Sequence, residues 1–340
     1  MKNKAITIAG HTIEPGTSTN ILLPSANLYT QTSIDLPAYV FHGKQAGPKV
    51  FVIGTIHGDE VNSIEIIRRL HKHSALKRLH GTLITIPVAN VFGFILRSRY
   101  LPDRRDLNRS FPGSKTGSLA ARLADILINQ VVSQCNYGID LHTGAIGRMN
   151  MPQLRVNLAT PGAEDLARAF DTPVILDAQL RDGSLREAAS QLGIPLLVYE
   201  GGEALRFNEL CIRMGVRGIL RVLAKLGMIA SHEKVKQKPH EPLITQTSRW
   251  VRASTSGLLQ SLVNISQLVT KDQKLAYIHD PFLINESIAV TAPFDGIVIG
   301  QTYLPLVNEG DGIYNIASTA KIENMEAYLE ELKDEITKGD

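Results

Sequence analysis

The sequence predicts an α/β fold, a mixed sheet flanked by helices, followed by a small all-β domain. Three observations carry this expectation. From Val50 onward, short apolar runs alternate with segments of helical period, as strands do when both faces of their sheet are covered. The charged, proline-bearing stretch "SHEKVKQKPHEPLI" then interrupts the pattern as a linker would. Beyond it come short β-type runs, punctuated every several residues by glycine, proline, asparagine and aspartate.

The elements can be taken in chain order. Residues 1–45, with "TIEPGTSTNILLP" and "SIDLPAYVFHG", read as edge strands preceding the sheet. The strand "KVFVIGTI" feeds the helix "SIEIIRRLHKHSAL", and "TLITIPVANVFGF" follows as the next apolar run. The helix "SLAARLADILINQVVSQ" leads to the strand "YGIDLH" and then to "QLRVNLA". Next are the helix "GAEDLARAF", with Pro161 at a favourable first-turn position, the strand "PVILDA", and the helix "SLREAASQL", closed by Gly193. The apolar strand "IPLLVYEGG" and a long helix from about Asn208 to Ile229 complete an α/β domain assigned to residues 1–235. The runs "SRWVRAS", "GLLQSLV", "KLAYIHD", "SIAVTAP" and "GIVIGQTYL" make up the β domain, residues 240–319. Residues 320–340 are acidic, with glutamates spaced to pair with lysines along a helix, and read as a solvated helix or a frayed tail.

Composition narrows the function classes. A chain of 340 residues is long for one domain and enzyme-sized, and its 44% apolar and 20% charged residues are ordinary globular usage. No apolar run reaches the length of a bilayer span, and the N-terminus lacks the apolar core of a secretory signal, so the cytoplasm is the expected location. The net charge of +3 is spread along the chain, which gives no electrostatic case for nucleic acid. Cys135 and Cys211, far apart and without Cys-x-x-Cys spacing, read as reduced structural thiols. Neither a phosphate-binding G-x-x-x-x-G-K-[ST] loop nor a G-x-S-x-G nucleophile elbow is present, which disfavours a nucleotide enzyme or a serine hydrolase.

The chemistry concentrates at the ends of apolar strands, where α/β folds collect ligands. His57 follows "VFVIGTI"; Gly58 is expected to permit a tight turn, Asp59 to cap the following helix, and Glu60 to lie in its first turn. His142 ends "YGIDLH", and Asp140, two residues earlier, projects to the same face, placed to orient a histidine ligand or the cleft. Two histidines and one carboxylate are the donor set of a catalytic zinc centre with a position left for water. Singly, each has an ordinary explanation, a hydrogen-bonded surface histidine or a charge at a helix N-terminus; together, at equivalent strand ends, they point to a metal. Glu200 ends "IPLLVYE" before two glycines, where a carboxylate can serve as a general base. Its ordinary reading is a turn residue paired with an arginine, which is also the reading given to Glu203. The arginine-rich "RSRYLPDRRDLNRSFPG" suits an anionic substrate or developing negative charge, with Asp103 and Asp106 able to neutralise part of it. Arg181 and Arg186 of "DAQLRDGSLRE" read as surface charges or as further anion contacts.

Taken together, His57-Gly58-Asp59-Glu60, "RDLNRSFPG" at 105–113, "DLHTG" at 140–144 and "YEGG" at 199–202 resemble the succinylglutamate desuccinylase and aspartoacylase group of zinc carboxypeptidase-like hydrolases. The resemblance spans roughly residues 45–230. It implies a zinc-carboxypeptidase-like sheet, one zinc per chain held by His57, Glu60 and His142, and Glu200 as the base that activates water and then protonates the leaving amine. It also implies that Asn108 and Arg109 bind a substrate carboxylate and that Arg99 polarises the scissile carbonyl, with Arg104 and Arg105 as rivals. The C-terminal part is similar to half of a biotinyl or lipoyl carrier, a barrel-sandwich-like fold. No lysine lies between Lys274 and Lys321 to carry a modification, so a structural or pocket-closing role is expected.

The expected activity is that of a zinc amidohydrolase, a deacylase of N-acyl amino acids or related small carboxylated amides. The alternatives are a carboxypeptidase for short peptides or γ-linked amides, and a non-catalytic metal or small-ligand binding protein on the same fold. The expected partner is a small molecule bearing a carboxylate, not a nucleic acid or a membrane, and the β edges of the second domain leave room for a homo-oligomer.

Overall fold

The N-terminal strands form one margin of a large sheet. In the computed structural model, which describes residues 1–27, 30–230 and 241–319, a hairpin of β1 (Ile6–Ile8) and β2 (His11–Ile13) precedes the antiparallel pair β3 (Thr17–Asn27) and β4 (Ser33–His42). The α/β portion follows as β5 (Gln45–Gly54), α1 (Asn62–Lys72), β6 (His80–Ile86), α2 (Val91–Leu96), α3 (Leu119–Gln130), β7 (Tyr137–Gly144) and β8 (Arg148–Val156). It continues through α4 (Ala163–Phe170), β9 (Val174–Asp177), α5 (Leu185–Gln191), β10 (Leu196–Glu203) and α6 (Glu209–Lys225). Across the sheet the order is β3-β4-β6-β5-β7-β10-β8; β5 runs parallel to β6 and β7, β10 runs parallel to β7, and β8 is antiparallel to β10.

The unbroken apolar sequence of β5 has a direct cause: both of its faces are buried. Val50 and Val52 pack with Ile66, Ile67 and Leu70 of α1, while Phe51 and Ile53 pack with Leu123 and Leu127 of α3. Gly138 of β7 is obligatory, because a Cβ there would lie 2.1 Å from the Phe51 ring. Truncating this fully buried ring to alanine would cost about 3–5 kcal/mol.

Several local expectations change. Gly162, at φ 80°, precedes α4, so Pro161 lies outside the first turn. The long helix begins at Glu209, with the Asn208 side chain accepting from the Cys211 N–H, and ends at Lys225. The end of the expected linker is a strand, β11 (Leu243–Thr245), parallel to β9. Residues 231–240 of that linker and the acidic tail, 320–340, lie outside the described residues.

The C-terminal portion comprises β12 (Ser248–Arg252), β13 (Gly257–Ser261), β14 (Leu268–Val269), β15 (Lys274–His279), β16 (Ile288–Thr291), β17 (Gly296–Thr302), β18 (Leu306–Val307) and β19 (Gly312–Ser318). All five expected runs are strands. A four-stranded sheet, β16-β15-β13-β18, shares a core of Leu275, Ile278, Val298, Ile313 and Ile316 with the series β12-β19-β17. That series continues the central sheet, because β17 pairs with the start of β8 while β9 pairs with its end. Among the described residues, no helix is long and apolar enough to cross a membrane.

Candidate active site

The turn after β5 carries the first two candidate ligands. Thr55 takes φ 52°, and α1 begins only at Asn62 after Val61, which makes no side-chain cap bond. Asp59 is therefore not the helix cap, and Glu60 stands in the turn before the helix instead of in its first turn. The turn is fastened by Ser63, whose Oγ donates to the Glu60 carbonyl at 2.8 Å and lies 2.8 Å from Thr55 Oγ1. Gly58 serves close approach instead of an unusual φ, since a Cβ there would meet the Gly93 carbonyl carbon at 2.0 Å.

This turn and the end of β7 converge. His57 Nδ1 lies 2.6 Å from Glu60 Oε1, His142 Nδ1 lies 2.8 Å from Glu60 Oε2, and the two ring nitrogens are 3.2 Å apart. All three residues are buried. The other His142 nitrogen, Nε2, faces Asp140 Oδ2 at 2.9 Å, and the Thr143 N–H donates to Glu60 Oε2 at 3.1 Å. Burial opposes ionisation of Glu60, but the charges of His57 and His142 and their hydrogen bonds hold its carboxyl far below the usual range. Burial likewise works against the imidazolium of His142, and Asp140 and Glu60 outweigh it, raising its pKa well above the ordinary histidine value.

The donor set fits a metal ion. Two buried imidazole nitrogens at 3.2 Å, facing each other across a carboxylate, repel unless a cation or a proton stands among them. Asp140 fixes the ring of His142 so that Nδ1 is the nitrogen presented, the arrangement in which carboxylates orient histidine ligands of zinc. Among the described residues, His57, Glu60 and His142 are the group whose ligand atoms, all within 4.8 Å of one another, can hold a metal ion.

Glu200 lies beside this group, its Cα paired with that of His142 across β10 and β7. Its Oε2 accepts from Asn150 Nδ2 at 2.9 Å, and its Oε1 is 3.6 Å from Arg155 Nε. Glu203 instead accepts from the Gly147 N–H and braces a loop. Of the three rival arginines, Arg99 reaches the site: Nη1 is 3.2 Å from His57 Nδ1 and 3.6 Å from Glu60 Oε1. Arg104 and Arg105 are exposed, with Arg105 3.9 Å from Asp103.

Asp106, read from sequence only as charge compensation, holds more than that. Its Oδ2 accepts from Arg99 Nη2 at 2.8 Å, its Oδ1 accepts from the Asn108 N–H at 2.8 Å, and Oδ1 stands 3.3 Å from His57 Nε2. Asn108 Oδ1 accepts from the Leu185 N–H at 2.9 Å, tying the "DLNR" turn to the start of α5 and leaving its NH2 group as donor. Arg109 is exposed and donates to the Asn108 carbonyl. Arg186 is not a simple surface charge: Nη2 donates to the Gln179 carbonyl at 2.6 Å and Nη1 is buried without a hydrogen-bond partner. Burial, together with neighbouring Arg155 and Arg181, pushes its pKa down to about 10. Periodicity could not distinguish it from the other arginines near helix starts.

Comparisons with known proteins identify the family and the fold. Residues 46–226 match the family model described as the succinylglutamate desuccinylase/aspartoacylase catalytic domain. The N-alpha-acetyl-L-2,4-diaminobutyric acid deacetylase of Halomonas elongata is 26% identical over 294 residues, covering 81% of this chain and 83% of the relative. The product-bound ectoine utilization protein EutE (DoeB) of Ruegeria pomeroyi superposes with a TM-score of 0.78 at 22% identity, over 89% of this chain and 95% of that one. A succinylglutamate desuccinylase/aspartoacylase from Rhodobacter sphaeroides gives a TM-score of 0.77 at 22% identity with the same coverage. The chain belongs to the succinylglutamate desuccinylase/aspartoacylase family of hydrolases.

Proposed function

We infer that the protein is a zinc-dependent deacylase that hydrolyses the amide of an N-acyl amino acid or a related small carboxylated amide in the cytoplasm. The observation that carries this reading is the buried convergence of His57, Glu60 and His142 with Glu200 alongside on the neighbouring strand. Zinc held by those three residues would polarise the scissile carbonyl and make water acidic enough to deprotonate near neutral pH. Glu200 takes the proton from water, through the carboxylate that Asn150 anchors by its Oε2, and returns it to the leaving nitrogen as the C–N bond breaks. Arg99, clamped by Asp106 and directed at the His57–Glu60 pair, neutralises charge developing on the carbonyl oxygen. The Asn108 NH2 group and the exposed Arg109 guanidinium receive the substrate carboxylate. The deacetylase activity named for the Halomonas relative supports a single N-acylated amino acid over a peptide.

The test is a hydrolysis screen of N-acetyl and N-succinyl amino acids against dipeptides, before and after dialysis with a chelator. Release of the acid and free amine from the acyl amino acids, lost on chelation and restored by zinc, is expected. Turnover of dipeptides alone would overturn the substrate reading, and full activity after verified metal removal would overturn the zinc reading.

A further inference from the structure

Asn150 is a buried polar residue in a strand whose neighbours on both sides are glycines. In the sheet its Cα pairs with Gly202 of β10 on one side and Gly300 of β17 on the other. Each glycine adjoins an irregularity of its strand, between Glu200 and Gly202 in β10 and between Val298 and Gly300 in β17. The absence of side chains on both flanks leaves the Asn150 amide free to turn along the sheet, where Nδ2 donates to Glu200 Oε2 at 2.9 Å. Only the NH2 end can face a carboxylate, so this contact also fixes which way round the amide stands. Its Oδ1 points toward β17: a Cβ added at Gly300 would lie 3.0 Å from it, with Asn315 Cβ at 3.3 Å and the Trp250 ring at 3.5 Å closing the remaining space.

We propose that Asn150 is a positioning residue for Glu200 and that β17, through Gly300, sets the Asn150 amide, so that the C-terminal strands align the general base. The proposal rests on the reading of Glu200 as that base. A charge-assisted hydrogen bond to one carboxylate oxygen fixes the plane of the carboxylate and leaves the other oxygen for the proton. The site's chemistry thereby depends on a strand far along the chain. It also gives the C-terminal portion a task in the chemistry of the site.

The experiment compares N150A, N150D, G300V and E200Q in the full-length zinc enzyme, measuring kcat, KM, zinc content and melting temperature. N150A is expected to lower kcat about 10- to 100-fold with KM nearly unchanged, the signature of a misaligned catalytic group. N150D keeps the shape but exchanges the amide donor for a carboxyl that either repels Glu200 or shares a proton with it and so weakens it as a base, so it should fall at least as far; wild-type kcat in N150D would show that Asn150 only fills space. G300V, which crowds Oδ1 without touching Glu200, should lower kcat in the same direction, and wild-type kcat in a folded G300V would overturn the coupling to β17. If E200Q loses turnover while N150A and N150D retain kcat, the positioning proposal alone fails. If E200Q retains turnover with zinc bound, the reading of Glu200 fails and the proposal falls with it.

Discussion

His142 and Glu200 are lateral neighbours: their Cα atoms are partners across the parallel strands β7 and β10. Parallel partners project to the same face about 4.8 Å apart, so backbone hydrogen bonds set the spacing between the proposed ligand and the proposed base. Withdrawing the carboxylate by one methylene should therefore be costly even though the charge is kept. E200D is expected to lower kcat by about 100-fold with zinc retained. Steady-state kinetics with metal analysis check this, and near-wild-type turnover would show that reach is not set by the strand pair.

The contact between Asp140 Oδ2 and His142 Nε2, at 2.9 Å, predicts an effect on metal affinity. D140N is expected to weaken zinc binding about 10- to 100-fold. Competition with a chromophoric chelator measures it; unchanged affinity would mean that Asp140 does not orient the ligand.

The arginines can be separated by substitution. Arg99 stands against the His57–Glu60 pair and Arg105 faces solvent, so R99A should lower kcat by about 100- to 1,000-fold while R105A stays close to wild type. Kinetics of the two variants on one substrate decide this. The reverse order would transfer the oxyanion role to Arg105.

Cys135 and Cys211 are free and buried, and burial pushes both thiols up to about 12. Thiolate is the reactive form, so both should resist a disulfide reagent at pH 8 and react in denaturant. Rapid labelling of the folded protein at either position would contradict their burial.

An ion network joins α1 to the start of α6. Glu65 accepts from Arg68 and Arg69, and Arg69 also donates to Glu209, with the result that both carboxyls are lowered to about 2. A folded-state pKa below the unfolded value contributes stability that is fully present above pH 4.5 and is lost as pH falls toward 2. Glu209 is about half exposed, so E209Q should cost only about 0.5 kcal/mol at pH 6, shrinking toward zero near pH 2. Urea unfolding across that range checks the sign, and a cost that grows on acidification would refute it.

Most of the order of strands and helices from Val50 to Ile229 was legible because apolar period and turn residues are local properties; the exception is α2 (Val91–Leu96), which begins inside the single apolar run "TLITIPVANVFGF" and is too short to show a helical period. His57, Glu60, His142 and Glu200 stood out because each interrupts an apolar run at its carboxyl end. The Asp59 cap was misjudged for a physical reason, while the tight turn at Gly58 is present, closed by the Glu60 N–H donating to the His57 carbonyl, with the approach of Gly93 as a further demand on that glycine. Whether an aspartate caps a helix depends on where the first turn closes, and a glycine required by an approaching backbone looks the same in sequence as one required by a turn. Asn150, Asp106 and the buried arm of Arg186 left no local signal. Their environments come from β17 and Glu200, from His57 and from Arg155 respectively, none of which a window around each residue contains.

The outer side of β8 is shared between two partners, β9 along its end and β17 along its start, where residues 148–150 are paired. A shortened protein ending before β17 would leave that half-edge with free N–H and C=O groups next to an apolar sheet, an invitation to pair with another copy. Excising the C-terminal portion would thus convert a closed margin into an adhesive one, and the truncated chain is expected to self-associate at concentrations where the full-length protein stays dispersed.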